Sequence, residues 1–311
     1  MSFLFFGTSE FAKIVLEELL KTGFIPSLVI TQPPKPQGRN QIKEPSPVYL
    51  VAEKNKIEVL TPDNLNNADF KKTIISAQPD FIIVTAYGKI IPKWLLDLPP
   101  QGVLGLHPSL LPIWRGASPI QSAILNNDEE TGVTLFLMDE LMDHGPIIQQ
   151  AKVKIPARLN YSELSQQLAK VGAQLLIETL PLWLNGKIIP QNQDESMASS
   201  CSKISPQEEK IDWSKTNNEV ARKIRALSHL PGAYTILDNQ VIKILSGEPR
   251  EDNEVSLMKQ IGEIFIWEKK LAVKCKTGFY IVNELRPAGK KTMPSRDFLA
   301  GHKNVIGKIF N

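Results

Sequence analysis

Residues 102–116 read Gly102-Val103-Leu104-Gly105-Leu106-His107-Pro108-Ser109-Leu110-Leu111-Pro112-Ile113-Trp114-Arg115-Gly116. The first half is an apolar run short enough for a buried strand. His107-Pro108 breaks it, and a helix can begin beyond Arg115-Gly116. A proline straight after a strand-end histidine stops the ladder and holds the imidazole at the sheet edge. Ligands of open α/β sheets gather at the carboxyl ends of strands, so a titratable side chain there is a catalytic candidate. Taken alone, such a histidine reads better as a strand cap; its surroundings decide.

Outward from this stretch the chain alternates strands and helices. Phe3–Gly7 is an apolar run ending in glycine, and Phe11, Ile14, Val15, Leu16, Leu19 and Leu20 recur at helical spacing over Glu10–Lys21. Strand, glycine turn and helix open a βαβ unit. Yet Gly7-Thr8-Ser9-Glu10-Phe11-Ala12 is not Gly-x-Gly-x-x-Gly, so a pyrophosphate cradle for a nicotinamide cofactor is not indicated. Ser27–Thr31, Ile57–Leu60, Asp80–Thr85, the run ending at His107, and Gly132–Met138 read as further strands. Helices fit Ser46–Glu53, Ala117–Asn126 and Tyr161 to about Leu180, the last ended by Pro181. Asp80–Thr85 is too apolar to alternate, as a strand covered on both faces should be. These features predict an α/β domain with a Rossmann-like, mostly parallel sheet over residues 1–190.

Residues 191–209 are polar and without periodicity, and read as an interdomain linker. From 210 to 311 the pattern changes to one helix, Asn217–Leu227, and five short strands with turn signals between them. That pattern predicts a small β-barrel of oligonucleotide-binding (OB-like) type.

At 311 residues, 42% hydrophobic and 22% charged, the chain has the composition of an ordinary soluble protein with two cores. No apolar run is long enough for a membrane span and no export leader is apparent, so the expected compartment is the cytoplasm. Cys201 and Cys275 then read as reduced thiols, too few for a zinc site without help from four scattered histidines, and no metal is expected. The net charge of +3 is uneven: residues 1–205 hold 18 Lys/Arg against 20 Asp/Glu, and residues 206–311 hold 18 against 13. A basic last third points mildly to nucleic acid, with a solvated charged surface as the even alternative.

Residues 105–116, together with Thr131-Gly132-Val133-Thr134 and Asp143-His144-Gly145, resemble the formyltransferase family that uses 10-formyltetrahydrofolate, in particular its branch acting on methionyl-tRNA. Gly7-Thr8, Ile211-Asp212-Trp213, Pro231-Gly232-Ala233 and Pro287-Ala288-Gly289-Lys290-Lys291 extend the likeness over nearly the whole chain. The resemblance implies formyl transfer from 10-formyltetrahydrofolate to the amino group of methionine on initiator tRNA, by a monomer. It implies His107 and Asp143 as catalytic residues. Asp139, Glu140 and Asp143 share one loop, and spacing alone does not choose among them; the family's Asp-x-Gly selects Asp143. Ser109, Leu110, Leu111, Pro112, Tyr87 and Gly88 are implied to line the folate site, one of the two leucines facing the core and the other the ligand. Arg39 and Lys43, in a loop of about sixteen residues without periodic pattern, and Lys290 and Lys291 are implied to meet the tRNA.

One family position departs. Gly105 stands where the family has an asparagine, whose amide would donate to the developing oxyanion. Losing such a donor typically costs about 10²–10³ in turnover. Either water or another side chain fills the gap, or the protein is catalytically impaired; restoring asparagine at 105 is expected to raise turnover. Two readings stay open beside Met-tRNA formylation: a formyltransferase acting on an amino-sugar nucleotide or on glycinamide ribonucleotide, and a tRNA or folate binder without catalysis.

Overall fold

The structure is a computed structural model describing residues 2–37, 42–251 and 258–311. Contacts divide the chain into two units. The first comprises Met1–Pro119, Glu130–Lys154 and Ser165–Cys201; the second comprises Ile120–Glu129, Ile155–Leu164 and Ser202–Asn311.

The first unit opens with β1 (Phe3–Gly7), every residue of which is buried, and α1 (Glu10–Lys21). The Ser9 hydroxyl caps that helix by accepting from Ala12 N–H, and Phe11, Val15, Leu16 and Leu19 form its buried face. Then follow β2 (Leu28–Ile30), β3 (Lys35–Gln37), β4 (Ile42–Glu44), α2 (Pro47–Lys54), β5 (Val59–Leu60) and α3 (Ala68–Ala77). Next along the chain come β6 (Phe81–Thr85), α4 (Lys93–Leu96), β7 (Val103–His107), β8 (Arg115–Gly116), α5 (Pro119–Asn126), β9 (Glu130–Leu137), β10 (Ile147–Lys154), α6 (Tyr161–Leu184) and β11 (Ser200–Cys201), of which α5 beyond Pro119 and α6 up to Leu164 count with the second unit.

Seven strands form the main sheet in the order β10-β9-β7-β6-β1-β2-β5. The five from β7 to β5 run parallel, and β9 and β10 add antiparallel. The Rossmann-like expectation is met, with an antiparallel edge added. Because β2 lies on one side of β1 and β6 on the other, the strand order reverses there, and the carboxyl ends of β1 and β6 are where an open α/β sheet of this order binds its ligands.

Two local readings change. Pro181 lies inside α6 and does not end it. It sits in the last turn, where few bonds remain to be lost, and Asn185 Nδ2 donates to its carbonyl at 2.6 Å. The proline-rich loop after β2 is also less irregular than its sequence, since β3 and β4 pair antiparallel. Arg39 lies outside the described residues.

The second unit holds α7 (Asn217–Leu227), started by a Thr216/Glu219 capping box, then β12 (Tyr234–Leu237), β13 (Gln240–Arg250), β14 (Ile264–Trp267), β15 (Lys270–Lys274), β16 (Phe279–Pro287), β17 (Met293–Pro294) and α8 (Ser295–Gly301). The strands form an antiparallel half-barrel in the order β12-β13-β16-β15-β14. The C-terminal tail bridges the edges. Ile236 and Asn311 exchange two main-chain hydrogen bonds on the β12 side, while Ile264 N–H reaches Lys308 O and Phe310 N–H reaches Gly262 O beside β14. Trp213 stacks on Phe310 at 5.9 Å in the core this closes.

Candidate active site

β7 delivers His107 between β6 and β9, with Thr134 as its cross-strand partner. The imidazole is 6% exposed. Its Nε2 lies 2.9 Å from Trp114 O, and its Nδ1 lies 3.5 Å from Asp143 Oδ2. One ring nitrogen is thus held by a main-chain carbonyl, and the other faces the carboxylate across a gap longer than an ordinary hydrogen bond.

Asp143 reaches this point on the loop after β9. Its Oδ2 accepts from Gly116 N–H at 2.8 Å, and its own φ is +52°, a left-handed conformation uncommon for a residue with a Cβ. Two residues on, a Cβ at Gly145 would stand 1.8 Å from Leu137 O, so only glycine passes there. Asp139 and Glu140, the other acids of the loop, point elsewhere: Asp139 Oδ2 pairs with His144 Nδ1 at 2.6 Å and Glu140 with Lys93 at 2.7 Å.

The loop from Ser109 to Ile113 is held from within. The Ser109 hydroxyl donates to Ile113 O at 2.6 Å. Thr134 Oγ1 donates to Ser109 O and accepts from Leu111 N–H, and Gln150 Nε2 reaches both Leu111 O and Thr134 Oγ1. Leu111 is buried, while the half-buried Leu110 packs over Gly132 and Pro112 is half-buried. After Pro112, β8 pairs with β11, and Ser199 binds both Trp114 N–H through its hydroxyl and Arg115 N–H through its carbonyl. Residues 191–201, read as linker, are therefore bonded into the first unit. Gln193 donates to the carbonyls of Asp143 and Gly145 and accepts from Arg115. Sequence reasoning missed Thr134, Gln150, Gln193 and Glu195 as site-building residues; only Thr134 falls in a motif quoted beforehand.

The first 180 residues match the model of a family described as Formyl transferase, and residues 203–303 match that of the formyl transferase C-terminal domain. The chain belongs to the formyl transferase family. It is 38% identical over 310 residues to a methionyl-tRNA formyltransferase of Bacillus cytotoxicus, covering 98% of this chain and 96% of that one. A namesake from Bacillus cereus is 37% identical over the same shares. Among solved structures, HypX from Aquifex aeolicus in complex with tetrahydrofolic acid matches with a TM-score of 0.68 at 17% identity, covering 98% of this chain and 48% of that one. An N-formyltransferase from Helicobacter canadensis, solved with folinic acid and dTDP-3-aminofucose, gives 0.65 at 22%, covering 91% and 98%.

In this formyl transferase the position two residues before the imidazole on β7 is closed. Gly105 pairs with Phe136 across β7 and β9, and a Cβ on Gly105 would lie 2.4 Å from Phe136 Cε1 and 3.1 Å from Met138 Cγ. The gap left by the missing side chain is filled by an aromatic ring.

The Ala86-Tyr87-Gly88 turn lies at the carboxyl end of β6. The Tyr87 ring is 2% exposed, set edge-on against Phe6 in the core, and its hydroxyl has no partner among the described residues. Burial pushes that phenol up to about 12. Its carbonyl accepts from Thr8 Oγ1 at 3.0 Å and from Gln32 Nε2 at 2.6 Å, so three adjacent strand ends are tied together. A Cβ at Gly88, whose φ is +78°, would meet Gln32 Nε2 at 2.7 Å. The main-chain groups of Gly88 carry no hydrogen bond among the described residues.

Lys43 is exposed on β4 in the first unit, and Lys290 and Lys291 are exposed on the turn after β16 in the second. Among the described residues no three His, Cys, Asp or Glu gather as a metal-ligand set, and no helix is long and apolar enough to cross a membrane.

Proposed function

We propose that this chain transfers the formyl group of 10-formyltetrahydrofolate to the α-amino group of methionine on initiator tRNA, in the cytoplasm. The observation that carries the reading is the approach of His107 and Asp143 to 3.5 Å at the carboxyl end of the sheet, in a chain matched almost end to end by proteins named methionyl-tRNA formyltransferase.

The site's donor set suits a folate. At the end of β6, Gly88 offers a main-chain N–H and carbonyl that are unbonded among the described residues, a pairing that suits the mixed donor and acceptor edge of a pterin. Ser109 and Leu111 spend their polar groups inside the loop, so with Leu110 and Pro112 they support the wall by shape. Tyr87 supports it through its carbonyl, its ring being buried.

The folate supplies an activated formyl carbon, and the nitrogen that leaves takes up the proton that the attacking amine gives to Asp143. Transfer forms a bond from the amine nitrogen to that carbon and breaks the bond to the folate nitrogen. The 3.5 Å gap leaves the His107 Nδ1–H free of any short hydrogen bond, able to turn toward the formyl oxygen as negative charge develops there. Asp143 holds Gly116 N–H through Oδ2, which leaves Oδ1 to accept a proton from the attacking amine. Lys43, Arg39, Lys290 and Lys291 supply positive charge to the phosphates of the tRNA.

Purified protein, 10-formyltetrahydrofolate and Met-charged initiator tRNA test the reading directly. Formyl-methionyl-tRNA should appear, and H107Q and D143N should each slow it by at least about 10². Formylation of an amino-sugar nucleotide with none of Met-tRNA would replace this reading.

A further inference from the structure

We propose that Gln193 is a positioning residue for Asp143, and that the segment carrying it belongs to the catalytic assembly; this rests on the formyl-transfer reading above. Asp143 adopts a left-handed φ of +52°, a conformation sparsely populated by residues with a Cβ, which persists only where its surroundings impose it. Two contacts impose it here. Gly116 N–H fixes the carboxylate at 2.8 Å, and the Gln193 amide spans the main chain on either side of His144, donating to Asp143 O at 2.9 Å and to Gly145 O at 2.8 Å.

The amide is used completely. Its two N–H groups go to those two carbonyls, and its oxygen accepts from Arg115 Nε at 3.0 Å and from a second Arg115 nitrogen at 2.7 Å. Arg115 in turn is gripped by Glu195, whose oxygens accept at 3.0 and 2.7 Å, and which lies 3.5 Å from His144 Nε2. Arg115 adjoins Gly116, so the same short stretch holds both the Asp143 carboxylate and the amide that shapes its backbone. No other side chain meets all of these demands. Glutamate would turn an oxygen toward two carbonyls, asparagine is one carbon too short, and alanine leaves both carbonyls and the guanidinium without the bond.

The test compares single-turnover formylation by the native protein, Q193A, Q193E, D143N and Q193A/D143N at saturating folate and Met-tRNA. Displacement of a reacting group by about an ångström costs on the order of 10² in rate. Q193A and Q193E should therefore slow transfer by about 10- to 100-fold with folate affinity unchanged. In the D143N background the same Q193A change should matter by less than about threefold, because the group being positioned has already lost its role. An equal penalty in both backgrounds, or no penalty for Q193A, overturns the proposal. A crystal structure of Q193A reads the same point without activity: Asp143 should leave its left-handed φ and withdraw from Gly116 N–H, and an unmoved Asp143 also overturns it. An inactive native protein counts against the formyl-transfer reading, while the crystal structure still decides the positioning role.

Discussion

The Phe136 ring edge occupies the space into which a side chain on Gly105 would project, its Cε1 lying 2.4 Å from an ideal Cβ there. Glycine inside a strand forgoes packing, and here the cross-strand aromatic neighbour recovers it. The two positions form one packed unit beside His107.

An asparagine at 105 therefore has to displace that ring before its amide can act. Overpacking a core typically costs 1–3 kcal/mol. Gly105→Asn alone should therefore lower the melting temperature by a few degrees and leave the single-turnover rate no faster than native. With Phe136→Ala the space opens, and G105N/F136A should exceed F136A alone by about 10-fold or more. Calorimetry and rapid-quench formylation on the four proteins check both halves. A faster G105N single variant would show that the ring yields.

Cys275 sits fully buried in the half-barrel core, and burial pushes its thiol from 9.0 up to about 12. The folded state thus keeps a proton that the unfolded chain releases near its ordinary value. The associated stability is fully present below about pH 8.5 and is lost as pH rises toward 12. At about 1.36 kcal/mol per pH unit the whole effect is on the order of 4 kcal/mol. Urea unfolding of the second unit between pH 8 and 11 should show the midpoint falling more steeply in the native chain than in C275A. Parallel slopes would mean the thiol does not carry the dependence.

Lys290 and Lys291 are exposed on the β16–β17 turn, where Gly289 at φ +79° makes the reversal. If each neutralises one phosphate, replacing both by alanine should weaken tRNA binding uniformly across tRNA sequences. The slope of log affinity against log salt should fall by about 2. Filter binding across a salt series reads both quantities. A slope equal to the native one places these lysines off the tRNA path.

The sequence carried most of this organisation where one residue's neighbours in space are its neighbours in the chain. β1, β6 and β7 announce themselves as apolar runs ending at glycine, threonine or histidine, and α1 by its periodic apolar face. His107 and Asp143 were legible through motifs. The pairing of Gly105 with Phe136 was not, because it depends on the register between β7 and β9, thirty-one positions apart in sequence. Gln193 and Glu195 were hidden for a different reason. They sit in an extended polar segment with no period, so nothing local distinguishes a latch from a linker.

Thr134 is the hub on which the wall beside His107 hangs. Its hydroxyl donates to Ser109 O at 2.7 Å and accepts from Leu111 N–H at 3.0 Å and Gln150 Nε2 at 2.8 Å, with Thr134 itself wholly buried. Thr134→Val keeps the shape and removes all three bonds. Leu111 N–H then loses its only partner among the described residues, and a buried unsatisfied donor costs about 1–3 kcal/mol. Gln150 retains Leu111 O at 2.9 Å, so Gln150→Ala should be the milder change. On the proposal that this loop lines the folate, T134V should weaken folate binding by about tenfold and slow the saturated single-turnover rate much less. Fluorescence titration with a folate analogue, set beside single-turnover rates, separates the two. A rate collapse at unchanged folate affinity would mean that the Thr134 bonds set the imidazole of His107 and not the wall.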